Sequence, residues 1–173
     1  MKKSQISIPP DWFAAQDRLY TPYELNCSLP ETGSESEEYG ACVFTLQGLR
    51  IQFRVGKITP KKIGYFVALW KRGDNGSTQP YDHDDAFDFF IISVKKEENL
   101  GQFIFPKSVL LQQGIVSTPQ QSGKRGIRLY APWDNPLSAQ AKKTKAWQGQ
   151  YFLAILPSQP LNPAITARFL DPA

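Results

Sequence analysis

Apolar positions fall on every second residue from about Ala41 to Val55. Cys42, Phe44 and Leu46 share one face of the segment from Ala41 to Gln47. After a turn at Gln47 and Gly48, Ile51, Phe53 and Val55 alternate with Arg50, Gln52 and Arg54. A period of two marks strands with one buried and one wet face, so the pattern predicts a hairpin of strands over 41–47 and 50–58. Lys57 continues the apolar register at the end of the second strand, where its ammonium must reach solvent or an anion. At Thr59 the spacing changes. Ile63, Phe66, Val67 and Trp70 recur at i, i+3, i+4 and i+7, Thr59 is a good N-cap, Pro60 suits the first helical position and Gly73 is placed as a stop. These signals predict a helix over 60–72.

The loop RGDNGSTQPYDHDD follows, then FDFFIISV, an almost continuous apolar run that reads as a strand covered on both faces. Strand, helix and buried strand predict a crossover that sets 50–58 and 87–94 parallel and adjacent. Elsewhere the pattern predicts a short amphipathic helix over 11–20 and a long surface connection from Thr21 to Ser36. It also predicts a strand in QFIF, a short helix in PKSVLLQQG, a strand between Arg125 and Tyr130, and a helix through SAQAKKTKAWQGQYFLAI capped by Ser138. The proline-rich tail from Leu156 to Ala173 reads as a strap or a loose end. The expected fold class is α/β with a mixed sheet: one domain over 1–173, with a core over about 37–155 made of hairpin, helix and parallel strand, flanked by helices.

Charge adds a direction to this frame. Twenty Lys and Arg against sixteen Asp and Glu give a net charge of +4 and a pI near 9.0, which permits an acidic or nucleic-acid partner. The distribution is uneven. Arg50, Arg54, Lys57, Lys61, Lys62, Lys71 and Arg72 occupy a stretch with no acid, whereas acids gather at Glu31, Glu35, Glu37 and Glu38 and again at Asp82, Asp84, Asp85 and Asp88. Lys71 and Arg72 would suit the C-terminus of the predicted helix. Lys61 and Lys62 would sit in its first turn and oppose the dipole by roughly 0.3–1 kcal/mol each, unless an anion binds there. Two solvated lysines are the alternative. Lys124, Arg125 and Arg128 form a second basic element, and Lys142, Lys143 and Lys145 crowd one side of the last helix. Trp70 and Trp147 have core spacing, while Trp133, in the loop APWDNP, is free to stack on a base. The expected phosphate-contacting set is Arg54, Lys57, Thr59, Lys61, Lys62, Lys124, Arg125, Arg128 and Lys142, with Trp133 as the aromatic platform.

Several chemistries lose support. His83 is the only histidine, and neither GxxxxGK[ST] nor GxGxxG occurs. An EF-hand loop beginning at Asp82 would need a glycine at position 87 and a glutamate at 93, where the chain has Phe87 and Ser93. Asp82 and Asp84 read instead as turn-forming acids. Cys27 and Cys42 lack CxxC spacing, which suggests a reducing cytoplasm. The start, MKKSQISIPPDW, has no apolar h-region, and no run approaches a membrane span.

The segments FRVGKITPKKIGYFVALWKR, QPYDHDDAFDFFIISV, GQFIFPKSVLLQQGIVS, GKRGIRLYAPWD and KTKAWQ closely resemble the MepB family of bacterial proteins, from about Glu37 to Phe152. The resemblance implies a restriction-endonuclease-like fold and nucleic-acid binding. Nucleases of that type hold a metal with an acid on one strand and an acid-x-Lys on the next. That motif would fall on Val55, Gly56 and Lys57, so the lysine is present and the carboxylate is not. The expectation is a cytoplasmic nucleic-acid-binding protein that needs no cofactor and does not cleave. Its alternative is a Mg²⁺-dependent nuclease using Lys57 with Glu37, Glu38 or Asp88, and a third reading is an adaptor whose basic face meets an acidic protein.

Overall fold

The hairpin forms as its alternation requires. A computed structural model describes residues 7–33, 36–157 and 162–168. The N-terminal lysines, Glu35 of the acidic run and residues 158–161 and 169–173 of the tail lie outside the described residues. In chain order the elements are α1 (Pro10–Ala15), continued by a π-helical turn over Gln16–Tyr20, then β1 (Glu31–Thr32) and a 3₁₀ turn over Glu37–Tyr39. Next come β2 (Cys42–Leu46), β3 (Leu49–Val55), β4 (Lys57–Ile58), β5 (Tyr65–Ala68), β6 (Trp70–Arg72), β7 (Thr78–Pro80), β8 (Phe89–Lys96) and β9 (Asn99–Pro106). The chain ends with α2 (Lys107–Gln112), β10 (Gly126–Leu129), α3 (Ala139–Gly149), β11 (Phe152–Ala154) and α4 (Pro163–Ala167).

β2 and β3 pair antiparallel with Leu46 opposite Leu49. Between them Gln47 and Gly48 both take positive φ, 54° and 77°, which matches the twist of a two-residue hairpin. The main sheet runs β1-β2-β3-β8-β9-β11, and β3 lies parallel to β8, with Ile51 opposite Phe89 and Val55 opposite Ser93. Mixed pairing and the parallel neighbour are thus as the sequence predicts. Phe89 to Val94 are all buried because the sheet has a core on each side. Phe89 and Ile91 join Trp12, Tyr20, Phe44 and Phe53 beneath α1. Phe90, Ile92 and Val94 join Tyr65, Phe103, Leu110, Ile127 and Leu129 on the opposite face.

The crossover between the parallel strands is where the sequence reading is corrected. No helix occupies 60–72. After β4 the chain turns through 59–64, where the Thr59 hydroxyl donates to the Lys62 carbonyl at 3.4 Å, and then enters β5 and β6. Tyr65, Val67 and Leu69 alternate into the core, a period-two pattern in a β-prone segment that the helical spacing of Ile63, Phe66, Val67 and Trp70 had masked. Gly64 decides between the two. Its φ is +92°, outside any helix, and a Cβ there would run into the Leu129 carbonyl oxygen. β5 pairs with β4 on one side and β10 on the other in a separate three-stranded sheet, and β6 pairs with β7. The predicted C-terminal helix is also shorter: α3 ends at Gly149, and Phe152–Ala154 turn back as an edge strand on β9.

Candidate functional site

The three-stranded sheet has one face in the core and one outside. Tyr65, Val67, Ile127 and Leu129 point inward. On the outer face the register places Lys57 opposite Phe66 and Phe66 opposite Arg128, so a cation, an aromatic ring and a second cation form one row across three strands. Directly paired residues share a face, with Cβ atoms about 4.5–5.5 Å apart. The Lys57 ammonium lies 4.8 Å from the centre of the Tyr39 ring, and Tyr39 meets Phe66 edge to face at 6.0 Å. Phe66 in turn lies over Gly126, where a side chain would collide with it. Lys57 also stands 4.0 Å from the exposed Glu38 carboxylate, a solvated pair worth about 0–1 kcal/mol.

β10 continues this face into a cleft of about 490 Å³. One wall carries Lys124, Gly126, Arg128 and Tyr130, alternate residues that a strand puts on one side. The other wall is the start and inner flank of α3, with Ser138, Gln140, Ala141, Thr144 and Trp147. Ser138 caps α3 by accepting the Ala141 N–H at 3.1 Å, and the positive end of the helix dipole opens beside the cleft. No acidic residue lines it. Gln148, 1% exposed, fastens α3 to the strand: its amide oxygen accepts the Tyr130 N–H and its amide nitrogen donates to the Arg128 carbonyl, both at 2.9 Å.

Lys57, Lys124 and Arg128 of the expected set therefore lie along one outer surface, with Lys142 exposed on α3 just past the cleft lining. Lys61 and Lys62 are exposed in the 59–64 turn, so the helix N-terminus expected to gather an anion around them does not exist. Thr59 closes that turn. Arg125 faces away: its Nε donates to the Thr78 carbonyl at 3.2 Å. Arg54 requires a correction, for it is only 1% exposed and its guanidinium lies beneath Tyr81 and over the Phe90 ring. The strand excursion covers what alternation had marked as a wet face. Trp133 is likewise no free platform. Its indole N–H donates to the Tyr65 hydroxyl at 3.0 Å and its ring stands edge-on to Phe152, while Lys145 holds the same loop through the Asp134 carbonyl at 2.7 Å. Trp70 lies half-buried under the Arg72 guanidinium.

Of the residues named for a nuclease, Lys57 and Glu38 come together and Asp88 does not join them. Val55 ends β3 in the main sheet, and after Gly56 the chain changes sheets, so Lys57 is not on the strand where acid-x-Lys would place it. Asp88 binds the Arg50 N–H at 2.8 Å, at the opposite end of β3 and roughly 20 Å from Lys57 at about 3.3 Å per residue. Glu37 and Glu38 are exposed in the 3₁₀ turn. A near-octahedral Mg²⁺ site needs its carboxylates gathered, and among the described residues Glu38 is the acid that pairs with the lysine. Asp82, His83 and Asp84 do bring ligand atoms within 4.8 Å of one another. They do so as a turn: Asp82 accepts the Asp84 N–H, which with the His83 and Lys71 charges holds its carboxyl below the usual range, and Asp85 accepts the Asp82 N–H and pairs with Lys71 at 2.6 Å.

Reading the sequence missed Tyr39, Phe66, Tyr130 and Gln148. Phe66 was legible as the out-of-phase residue of a 65–69 strand; Gln148 gives no local signal, because its partners lie about twenty residues away.

The model of the MepB-like family matches residues 33–154. A crystal structure of MepB matches with a TM-score of 0.73 and 32% identity, over 81% of this chain and 95% of that one. The structure of a bacterial homing endonuclease, I-Ssp6803I, matches at 18% identity with a TM-score of 0.49, over 86% of this chain and 93% of that one, a likeness too low to argue from. No curated protein matches significantly.

Proposed function

The chain belongs to the MepB-like family, and from that premise we propose that it binds nucleic acid along the outer face of the β4–β5–β10 sheet and the cleft beside α3, without cleaving it. One observation carries this reading. The row Lys57, Phe66, Arg128 runs into a cleft that holds Lys124 and a helix N-terminus and has no acid in its lining. Cations spaced along a groove neutralise successive phosphates, and an aromatic ring between them offers a face to an unpaired base. Cleavage is not part of the proposal, because the carboxylates that would hold a metal are split between Glu38 and the distant Asp88. Among the described residues no helix is long and apolar enough to cross a membrane.

The test is fluorescence anisotropy with single-stranded and duplex DNA and with RNA over a salt series. Three groove cations predict a slope of log K against log salt of about −2 to −3. Lys124→Ala with Arg128→Ala should flatten it to about −1, while Lys71→Ala with Arg72→Ala, on the β6–β7 hairpin, should leave it unchanged. Equal effects of the two pairs would refute a dedicated groove. Incubation of the same substrates with Mg²⁺ or Mn²⁺ checks the second half, and cleavage abolished by Lys57→Ala would replace this reading with a nuclease.

A further inference from the structure

The cleft beside α3 offers more than a track for phosphates. Gln148 fixes its width by bonding the β10 backbone at 2.9 Å from both ends of its amide. The smallest lining residues, Gly126 on β10 and Ala141 on α3, leave the space between the walls open. Its volume of about 490 Å³ falls in the range that encloses one small ligand, about 300–1,000 Å³. Three kinds of lining meet there. The buried Ile115 and Ile127, with the half-buried Trp147 whose ring packs 5.4 Å from that of Phe105, form an apolar floor. Lys124 and Arg128 bring positive charge. The exposed side chains of Gln113, at the end of α2, and Gln140, in the first turn of α3, offer donors and acceptors together. A phosphodiester needs only the cations. The floor and the amides fit the rest of a nucleotide, a flat base with a hydrogen-bonding edge.

The outer face of the sheet supplies the neighbouring position. Phe66 lies opposite Arg128 in the register, its ring rests where a side chain on Gly126 would stand, and Tyr39 braces it edge to face. Arg128 belongs to both places: it lines the cleft, and its Nη1 donates to the Ile63 carbonyl at 3.2 Å, just ahead of β5. A strand crossing this surface passes from the ring to the cleft around one cation. On the premise that this face meets nucleic acid, we propose that its ligand is a single strand and that the cleft holds one of its nucleotides unstacked. The phosphate meets Lys124 and Arg128, and the base lies against Trp147 with its edge on the two amides. Bases in a duplex are stacked and paired, and turning one out forfeits both interactions, whereas an unpaired strand gives up little. The cleft therefore sets strandedness, and the cations supply the affinity common to every nucleic acid.

Fluorescence anisotropy of the full chain at one fixed salt concentration tests the site with three labelled DNAs of equal length: a single strand, its blunt duplex, and an abasic strand that keeps the phosphates without the bases. The single strand should bind about tenfold or more tighter than the duplex, and about fivefold or more tighter than the abasic strand, from the contacts of one base. Gln113→Ala with Gln140→Ala should weaken the single strand about threefold or more and narrow its lead over the abasic strand. Ala141→Trp, which fills the cleft and keeps its cations, should do the same. Gln150→Ala, at the exposed end of α3 and outside the lining, should match wild type on all three DNAs. If Ala141→Trp does not fold, the glutamine pair decides, since both side chains are exposed. Equal affinity for the three DNAs with the salt slope intact leaves the groove in place and overturns the nucleotide site. A single-strand preference that survives both variants overturns it too. Failure to bind any of the three removes the groove reading itself, and this inference with it.

Discussion

Replacing Gln148 by alanine should destabilise the protein far more than a glutamine on a charged helix would suggest. The side chain is buried and closes the outer edge of β10, accepting from the Tyr130 N–H and donating to the Arg128 carbonyl. Truncation orphans one backbone donor and one acceptor at about 1–3 kcal/mol each, although the adjoining cleft is open enough for water to recover part of that. A net loss of about 2–4 kcal/mol follows. For a chain of 173 residues, at about 2–4 °C per kcal/mol, Tm should fall by roughly 5–15 °C. Gln148→Met keeps the shape but loses both bonds, and should recover little. Urea unfolding followed by circular dichroism gives the value directly, with an unchanged m as the check that the unfolded state is the same. A change below about 0.5 kcal/mol would show that solvent already satisfies this strand edge and that the amide is a bystander.

Phe66→Ala should weaken nucleic-acid binding roughly tenfold or more, from the 1–3 kcal/mol that a stacked base gains, and unchanged anisotropy would remove the ring from the interface. Gly64→Ala should cost about 2 kcal/mol or more in urea, since both the φ of +92° and the Leu129 carbonyl oppose a Cβ. Burial pushes the Cys27 thiol up to about 11 and Cys42 to about 12, and raises Tyr20 as well. Groups whose folded pKa is raised favour folding below their unfolded pKa, so stability should hold to about pH 9 and decline from there toward pH 12. Unfolding midpoints at pH 8 and pH 10.5 measure that decline.

The parts of the fold that could be read from the sequence are those whose pattern is local. The β2–β3 hairpin follows from alternation and one turn, and the buried character of β8 from an unbroken apolar run. Residues 63–70 satisfied a helical and a strand period at once, and the deciding partner, Leu129, lies some sixty positions downstream. The same distance explains the site. Lys57, Lys124 and Arg128 could be named as basic, but only the β4–β5–β10 register aligns two of them and joins the third. Arg54 looked solvated because its strand alternates, and nothing near it in sequence shows that Tyr81 and Phe90 enclose it.

The long reach from β5 to β10 also sets an order of events. β2–β3 and β8–β9 are hairpins whose contacts close over a few residues, whereas β5 must wait for residues 126–129, and ordering so distant a pair is entropically slow. During synthesis Tyr65 and Val67 therefore emerge well before the strand that flanks them, as an apolar β-segment with an open edge of the kind that pairs with other chains. The surface proposed to meet nucleic acid is then completed late, after β10 and α3 have emerged, and early nascent chains would call on chaperones before they could engage a ligand.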